Sequence, residues 1–312
     1  MTNALKSPSV YSLQSEQSGV VTALNKLLFD LNFSQNSLAR KIGISSSVLS
    51  QILAGSYLYD KSNSVWIQIE KFIEKVTGEI FETELLRKVH RVLNQTFKEK
   101  KIAVITSCSG AGKTTAIERY CLINQEAVII RVTEVFNVKF MLQKMMQSID
   151  AEYEGLSKQQ MYESLSEMLQ RKQRLFVIDE AERLHVSELE TLRDLFDQGN
   201  IGPCLIGLST LRKILQTGHT RKMDLVQLYS RVSYTEVVNI LSAKDVRLVF
   251  GKITPKNKVS DKMCSKLSYE FASKGGLRAI INIAEYAARL SDKVQADVDD
   301  DMIPDVIQKV TL

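Results

Sequence analysis

The sequence predicts an α/β chain in three parts: a small all-helical unit, a core of parallel sheet with helices on both faces, and a closing helical region. Three observations carry this reading. Nearly unbroken apolar runs (KIAVIT, AVIIRV, RLFVID, PCLIGL) alternate with helical segments between residues 101 and 215. Helical periodicity alone fills the stretches on either side. A glycine-containing loop lies between the first apolar run and the helix after it, a strand–loop–helix order typical of α/β units. The expected divisions are a polar tail over 1–18, a helical unit over 19–78, the α/β core over 79–240 and a helical region over 241–312.

Bulk properties set the outer limits. At 312 residues the chain exceeds what one core usually serves, so two or three domains are expected. Hydrophobic residues at 44%, charged residues at 25% and only 4 Pro exclude collagen-like and broadly disordered composition. No stretch approaches the roughly 20 apolar residues of a membrane span, and the polar first 19 residues do not read as a secretory signal. A cytoplasmic protein without a membrane partner is the expectation. Cys108, Cys121, Cys204 and Cys264 lack paired spacing and only three histidines are present, which points to reduced thiols and away from disulfides or zinc. A net charge of +5 is compatible with a polyanionic partner without demanding one.

Taken in order, apolar residues at helical spacing begin with Val20, Val21, Leu24, Leu27 and Leu28. The segment FSQNSLARKIGISSSVLSQILAGSY reads as two short helices around a glycine turn. Ala39 is small enough for the helices to cross closely, Gly43 supplies the turn backbone, and Ser45 caps the second helix. Trp66 to Val76 continue the helical pattern up to Thr77-Gly78-Glu79. Residues 79–100 read as an amphipathic connector. The core strands are so continuously apolar that both sheet faces must be covered, which is the mark of a parallel sheet. After residue 242, helices are expected at 243–250, 260–273, 277–291 and 302–310, and the acidic run Asp297, Asp299, Asp300 and Asp301 reads as a solvated helix start.

The chemistry lies in the core. Ser107-Cys108-Ser109-Gly110-Ala111-Gly112-Lys113-Thr114-Thr115 follows a strand and opens a helix, the context of a phosphate-binding loop. Helix N-terminal N–H groups face the phosphates, and Gly110 and Gly112 permit close approach. Lys113 reaches the β and γ phosphates, and Thr114 ligates Mg²⁺. Ser107 stands where the motif has its first glycine. The strand Leu175 to Asp179 ends in adjacent carboxylates and is expected beside the loop strand. There Asp179 joins Thr114 at the Mg²⁺ and Glu180 polarises the attacking water. ATP and Mg²⁺ are therefore the expected ligands.

The order of these pieces resembles the AAA+ ATPase family. The resemblance implies that Ser209 or Thr210, after PCLIGL, senses the γ phosphate. It makes Arg231, in Leu-Tyr-Ser-Arg, an arginine finger supplied to a neighbouring subunit, and Arg278, in Gly-Gly-Leu-Arg, a second sensor. A finger acting in trans implies a homo-oligomer, either ring or helical filament. The whole arrangement, from the glycine-turn helix pair to the Gly-x-Leu-Arg helix, is similar to the phage Mu B transposition family. That resemblance implies ATP-dependent assembly on duplex DNA with little sequence preference, and recruitment and stimulation of a transposase.

DNA contacts are expected in two places. The second helix of the pair offers Ser46, Ser47, Ser50 and Gln51 outward, with no Arg or Lys for a bidentate guanine contact, while Arg40 and Lys41 suit phosphates. A small bundle used for protein contacts is the competing reading of that pair. In the core, Lys139, Lys144 and Lys158, with Arg131 nearby, are candidates for a DNA-facing surface, Lys139 first. Two rival functions stay open on sequence alone: a replicative helicase loader and a nucleotide-switched transcription regulator.

Overall fold

The computed structural model describes residues 10–310 apart from 32, 59, 61, 79, 218–224, 239 and 240. Two compact units are present: residues 1–80 with 122–125, and residues 81–121 with 126–312. The expected tail over 1–18 overlaps the first helix, α1 (Val10–Asp30), while residues 1–9 lie outside the described residues.

In the first unit, α2 (Gln35–Ile42) and α3 (Ser46–Leu53) flank the turn at Gly43, and α4 (Ser64–Thr77) completes the bundle. Gly43 adopts φ +89°, a left-handed conformation that glycine takes without steric cost, and its N–H closes α2 on the carbonyl of Ala39 at 2.9 Å. Ser34 and Ser45 accept from Ser37 N and Val48 N, capping α2 and α3. Leu24, Leu38, Ala39, Leu49, Ile52, Trp66 and Ile69 are buried together, and a larger residue at position 39 would meet this packed core.

The second unit is built on a five-stranded parallel sheet of β1 (Ile102–Ser107), β2 (Ala127–Arg131), β3 (Arg174–Asp179), β4 (Ile201–Gly207) and β5 (Val232–Val238), in the order β2-β3-β4-β1-β5. The expectation that the Asp179 strand adjoins the loop strand is corrected here: β4 pairs with both and separates them. Pairing Thr106 with Gly207 and Ile206 with Asp179 still brings the ends of β1 and β3 to one edge of the sheet, a crevice where α/β proteins bind ligands.

Strand side chains alternate between two cores. Ile102, Val104, Phe176, Ile178 and Leu205 pack with α7 (Val138–Ser148), α8 (Lys158–Arg171) and α9 (Val186–Gln198). Ala103, Ile105, Leu175, Val177 and Ile206 pack with α5 (Glu84–Glu99) and α6 (Lys113–Ile123). The segment expected as a connector is thus a core helix, with Leu85, Val89, Val92 and Leu93 buried against the sheet. The remaining core helices are α10 (Ser209–Thr217) and α11 (Val226–Arg231). β5 was not foreseen, because its alternating exposed and half-buried residues differ from the wholly buried strands used as the template.

The closing helices α12 (Ala243–Ile253), α13 (Asp261–Phe271), α14 (Gly276–Val294) and α15 (Met302–Val310) share a core of their own, including Val249, Phe250, Leu267, Ile280 and Ile303. The acidic run is partly structural. Asp300 accepts from Ser260 N at 2.7 Å and from its hydroxyl, and Asp299 accepts from Met302 N at 3.0 Å, so two of the four carboxylates fasten helix starts. Among the described residues no helix is long and apolar enough to cross a membrane.

Candidate functional site: a nucleotide cleft at the strand ends

The loop after β1 shows why a serine suffices where the motif has its first glycine. Ser107 is the last residue of β1, fully buried, and its backbone keeps ordinary negative φ. The left-handed conformations fall three and five residues later, at Gly110 (φ +74°) and Gly112 (φ +96°), where glycine is retained. α6 then opens at Lys113, so the loop amides and the positive end of the helix macrodipole face the same cleft.

That cleft, of about 390 Å³, is lined by Ser109 to Thr115, by Asp179, Glu180, Glu182 and Arg183 after β3, by Gly207 and Leu208 after β4, and by Leu277, Arg278 and Ile281 of α14. Its size falls within the range of small-molecule sites. Of the expected residues it brings together Ser109 to Thr115, Asp179, Glu180 and Arg278, and it adds Glu182 and Arg183. Ser107 and Cys108 lie just behind it, Cys108 beside a narrow apolar cavity with Ala111, Val238, Leu241 and Leu277. The expected sensor Ser209 begins α10 one residue past the lining pair Gly207 and Leu208.

Thr114 and Asp179 meet directly: the threonine hydroxyl donates to Asp179 Oδ2 at 3.1 Å. Asp179 is almost fully buried, and its other oxygen accepts from Glu180 N at 3.1 Å. Arg131, at the end of β2, lies 3.6 Å from Asp179 Oδ2 and 3.0 Å from Glu118. Position 131 therefore serves the cleft's carboxylate, which its separation in sequence concealed; the strand register Arg131–Asp179 is what reveals it. Two neighbouring hydroxyl and carboxylate oxygens suit a hard divalent cation that keeps waters and phosphate oxygens as its other ligands.

Glu180 takes φ +60°, uncommon for a residue with a side chain, and turns its carboxylate to Arg183 at 2.9 Å. Glu182 points the other way, accepting from Leu208 N at 3.2 Å. Gly207 makes room for it: a Cβ there would stand 2.1 Å from Glu182 Oε2. The Lys113 ammonium donates to the carbonyls of Ser107 and Cys108 at 3.2 and 2.8 Å. Burial pushes its pKa below the ordinary lysine value, opposed by the negative groups around it, Glu182, Asp179 and Glu180 among them.

Other expected residues lie outside the cleft. Arg231 ends α11 and pairs with Asp197 at 2.7 Å. Lys139, Lys144 and Lys158 are exposed, Lys144 sitting 5.3 Å from the centre of the Phe140 ring. In the first unit Ser46, Ser47, Ser50 and Gln51 form the exposed side of α3, Arg40 is half-buried, and Lys41 donates to the carbonyl of Asn124 at 3.1 Å.

Comparisons with known proteins agree with this geometry. Residues 94–215 match the AAA domain family. The chain is 24% identical over 247 residues to the Mu-like prophage FluMu DNA transposition protein B of Haemophilus influenzae, covering 73% of this chain and 84% of that protein. It is 24% identical over 221 residues to the ATP-dependent target DNA activator B of Escherichia phage Mu, covering 68% and 70%, and 23% identical over 256 residues to that of Escherichia phage D108, covering 78% and 80%. Its fold is similar to the ADP form of the Aeropyrum pernix ORC2 protein, with TM-score 0.53, 10% identity and coverage of 74% of this chain and 69% of that one. A similar match is Drosophila ORC, with TM-score 0.52, 14% identity and coverage of 86% and 73%. The parallel sheet with this cleft at its strand ends and the AAA domain match over that region mark the protein as an ATPase with an AAA+ fold, similar over most of its length to Mu B transposition proteins.

Proposed function

We propose that this ATPase assembles on duplex target DNA in its ATP state, recruits and activates a transposase there, and leaves as ATP is hydrolysed. The observation that carries the reading is the extent of similarity to the phage B proteins. It spans roughly seven-tenths of the chain, and two of those relatives bear the name ATP-dependent target DNA activator. Reduced thiols and ATP use fit a cytoplasmic setting, and all four cysteines are free.

Each residue of the cleft has a physical task in this scheme. Loop amides from Gly110 to Lys113, at the start of α6, cradle the phosphates. Lys113 leaves the Ser107 and Cys108 carbonyls for the β and γ phosphates, whose negative charge favours the ammonium that burial disfavours. Thr114 and Asp179 would hold Mg²⁺, which supplies charge neutralisation at the phosphate oxygens. Glu180 orients and polarises the attacking water once its carboxylate leaves Arg183. Arg278 reaches the γ phosphate from α14. Ser209, at the start of α10, follows the β4 end that closes the cleft and serves as the first sensor.

Arg231 is assigned to the cleft of the next subunit. Within its own chain it is engaged with Asp197, outside the cleft lining, which suits a residue whose substrate contact is made in trans. Head-to-tail contacts of this kind generate rings or helical filaments. Lys139, Lys144 and Lys158 supply phosphate contacts that position the protein without reading sequence, and Arg40, Lys41 and the serine face of α3 supply a second, weakly specific contact. Electron microscopy of the full chain with duplex DNA provides the test. Regular assemblies on DNA with ATP and their absence without it are expected; monomers or dimers under both conditions would exclude the proposal.

A further inference from the structure

The phosphate loop and the closing helical layer meet along a seam where Gly110, Gly275 and Gly276 bring backbone against backbone. The carbonyl of Gly110 accepts a hydrogen bond from Arg278 N at 3.2 Å. That N–H belongs to the first turn of α14, whose N-cap is Gly275 with no side-chain cap. The free N–H groups of a helix start need acceptors, and here one is the phosphate loop itself. The approach leaves no room for a Cβ at Gly110 and only a tight fit for one at Gly276. One added at Gly110 would stand 2.1 Å from the carbonyl oxygen of Gly275, and one at Gly276 would stand 3.1 Å from the Gly110 carbonyl and 3.2 Å from Ala111 N. Gly275 and Gly276 also carry φ of +92° and +57°, which orients the chain for this contact. Two further contacts run parallel to it. The Cys108 thiol donates to the Ala272 carbonyl at 3.1 Å, and Leu277 Cδ2 lies 3.4 Å from where a Gly112 Cβ would be.

A loop that binds phosphate with its N–H groups has its carbonyls left over on the opposite side. We propose that Gly110 and Gly276 are positioning residues for ATP hydrolysis: the loop's spare carbonyl caps α14 only when the loop is in its phosphate-binding shape, and this sets Arg278 over the cleft. Nucleotide binding on one face of the loop is thereby transmitted to the closing helices through backbone atoms on the other. The inference rests on the nucleotide-cleft reading and adds a coupling element to it.

Hydrogen exchange of the full chain, with and without saturating Mg-ADP, tests this in two windows: the loop amides 109–114 and the first turn of α14, 277–281. In the unsubstituted chain both windows slow on binding. In Gly276→Ala, whose Cβ enters the seam, the loop window still slows, the α14 window no longer responds, and kcat for ATP falls about tenfold while KM changes less than about threefold, the split expected when a transition-state contact alone is lost. Gly275→Ala is the comparison: it carries similar left-handed strain, but its Cβ meets Ala279 Cβ at 3.2 Å and not the loop, so the coupled response persists. Equal loss of coupling in both variants would assign the effect to strain at the helix start and overturn the inference, as would persistence of coupling in Gly276→Ala. Slowing of the loop window alone in the unsubstituted chain overturns the inference and leaves the cleft standing. No slowing in either window overturns the cleft reading and the inference together.

Discussion

The nucleotide cleft and the N-terminal helical unit both present a helix start flanked by small polar residues, yet they differ in what meets there. At α3 the orphan amide of Val48 is satisfied by Ser45 of the same turn, and the exposed residues that follow are serines and a glutamine. At α6 the helix start opens into a concavity shared with Asp179, Glu180, Arg183, Leu208 and Arg278, contributed by three other segments. Convergence from distant segments, not the local motif, separates a site from a well-made helix terminus. The cleft also shows local rules bent for a purpose: Glu180 in a left-handed conformation, Lys113 half-buried, Gly207 emptied for Glu182. Among its described residues the helical unit holds no non-glycine residue at positive φ.

That contrast can be broken by substitution, and the largest effect is expected in the cleft. Glu180→Gln should lower kcat by about 10²–10⁴-fold, the usual contribution of a positioned base, while ATP affinity changes little. Lys113→Ala should instead abolish ATP binding, so nucleotide titration distinguishes the two, and identical behaviour would show that the roles are misassigned. Next is Leu49→Ala, which truncates a fully buried side chain of the helical unit and should destabilise that unit by about 2–5 kcal/mol in chemical denaturation. ATP turnover measured without DNA should persist in this variant; its loss would show that the two regions do not fold as separate units. Gly207→Ala, which forces Glu182 off the exposed Leu208 amide, should cost about 0.5–1.5 kcal/mol by the same measurement and reduce turnover. The smallest effects concern DNA. Lys139→Ala should reduce the slope of log affinity against log salt by about one, whereas Gln51→Ala should leave that slope unchanged. The reverse result would move the main phosphate contact to the helical unit.

How much was legible in the sequence follows the same divide. Continuous apolar runs marked β1, β3 and β4, which are buried on both faces, and also the half-buried edge strand β2; β5, at the opposite edge with alternating exposure, gave no such run. Motif spacing identified Gly110 to Thr115, Asp179 and Glu180, since backbone geometry at a loop constrains nearby residues. Sequence order could not show that β4 separates β1 from β3, because strand order is decided by crossover packing and not by adjacency in the chain. Arg131 was legible as a basic residue and not as a partner of Asp179, a contact that only strand register creates. Arg183 and Glu182 were hidden for a related reason: their partners, Glu180 and Leu208 N, are set by the left-handed turn at Glu180 and by the end of β4. The role of Ser107 became clear once its backbone was seen to be ordinary strand, so that its position needs no glycine.

In the proposed function the cleft at Ser107–Thr115, Asp179 and Glu180 governs DNA engagement. The most direct test is the affinity of the Glu180→Gln chain for a duplex of arbitrary sequence, measured by fluorescence anisotropy at fixed salt with ATP, with ADP and without nucleotide. Tight binding with ATP, persisting as long as ATP remains unhydrolysed, and weak binding in the other two conditions is the predicted result. Equal affinity in all three would contradict the account.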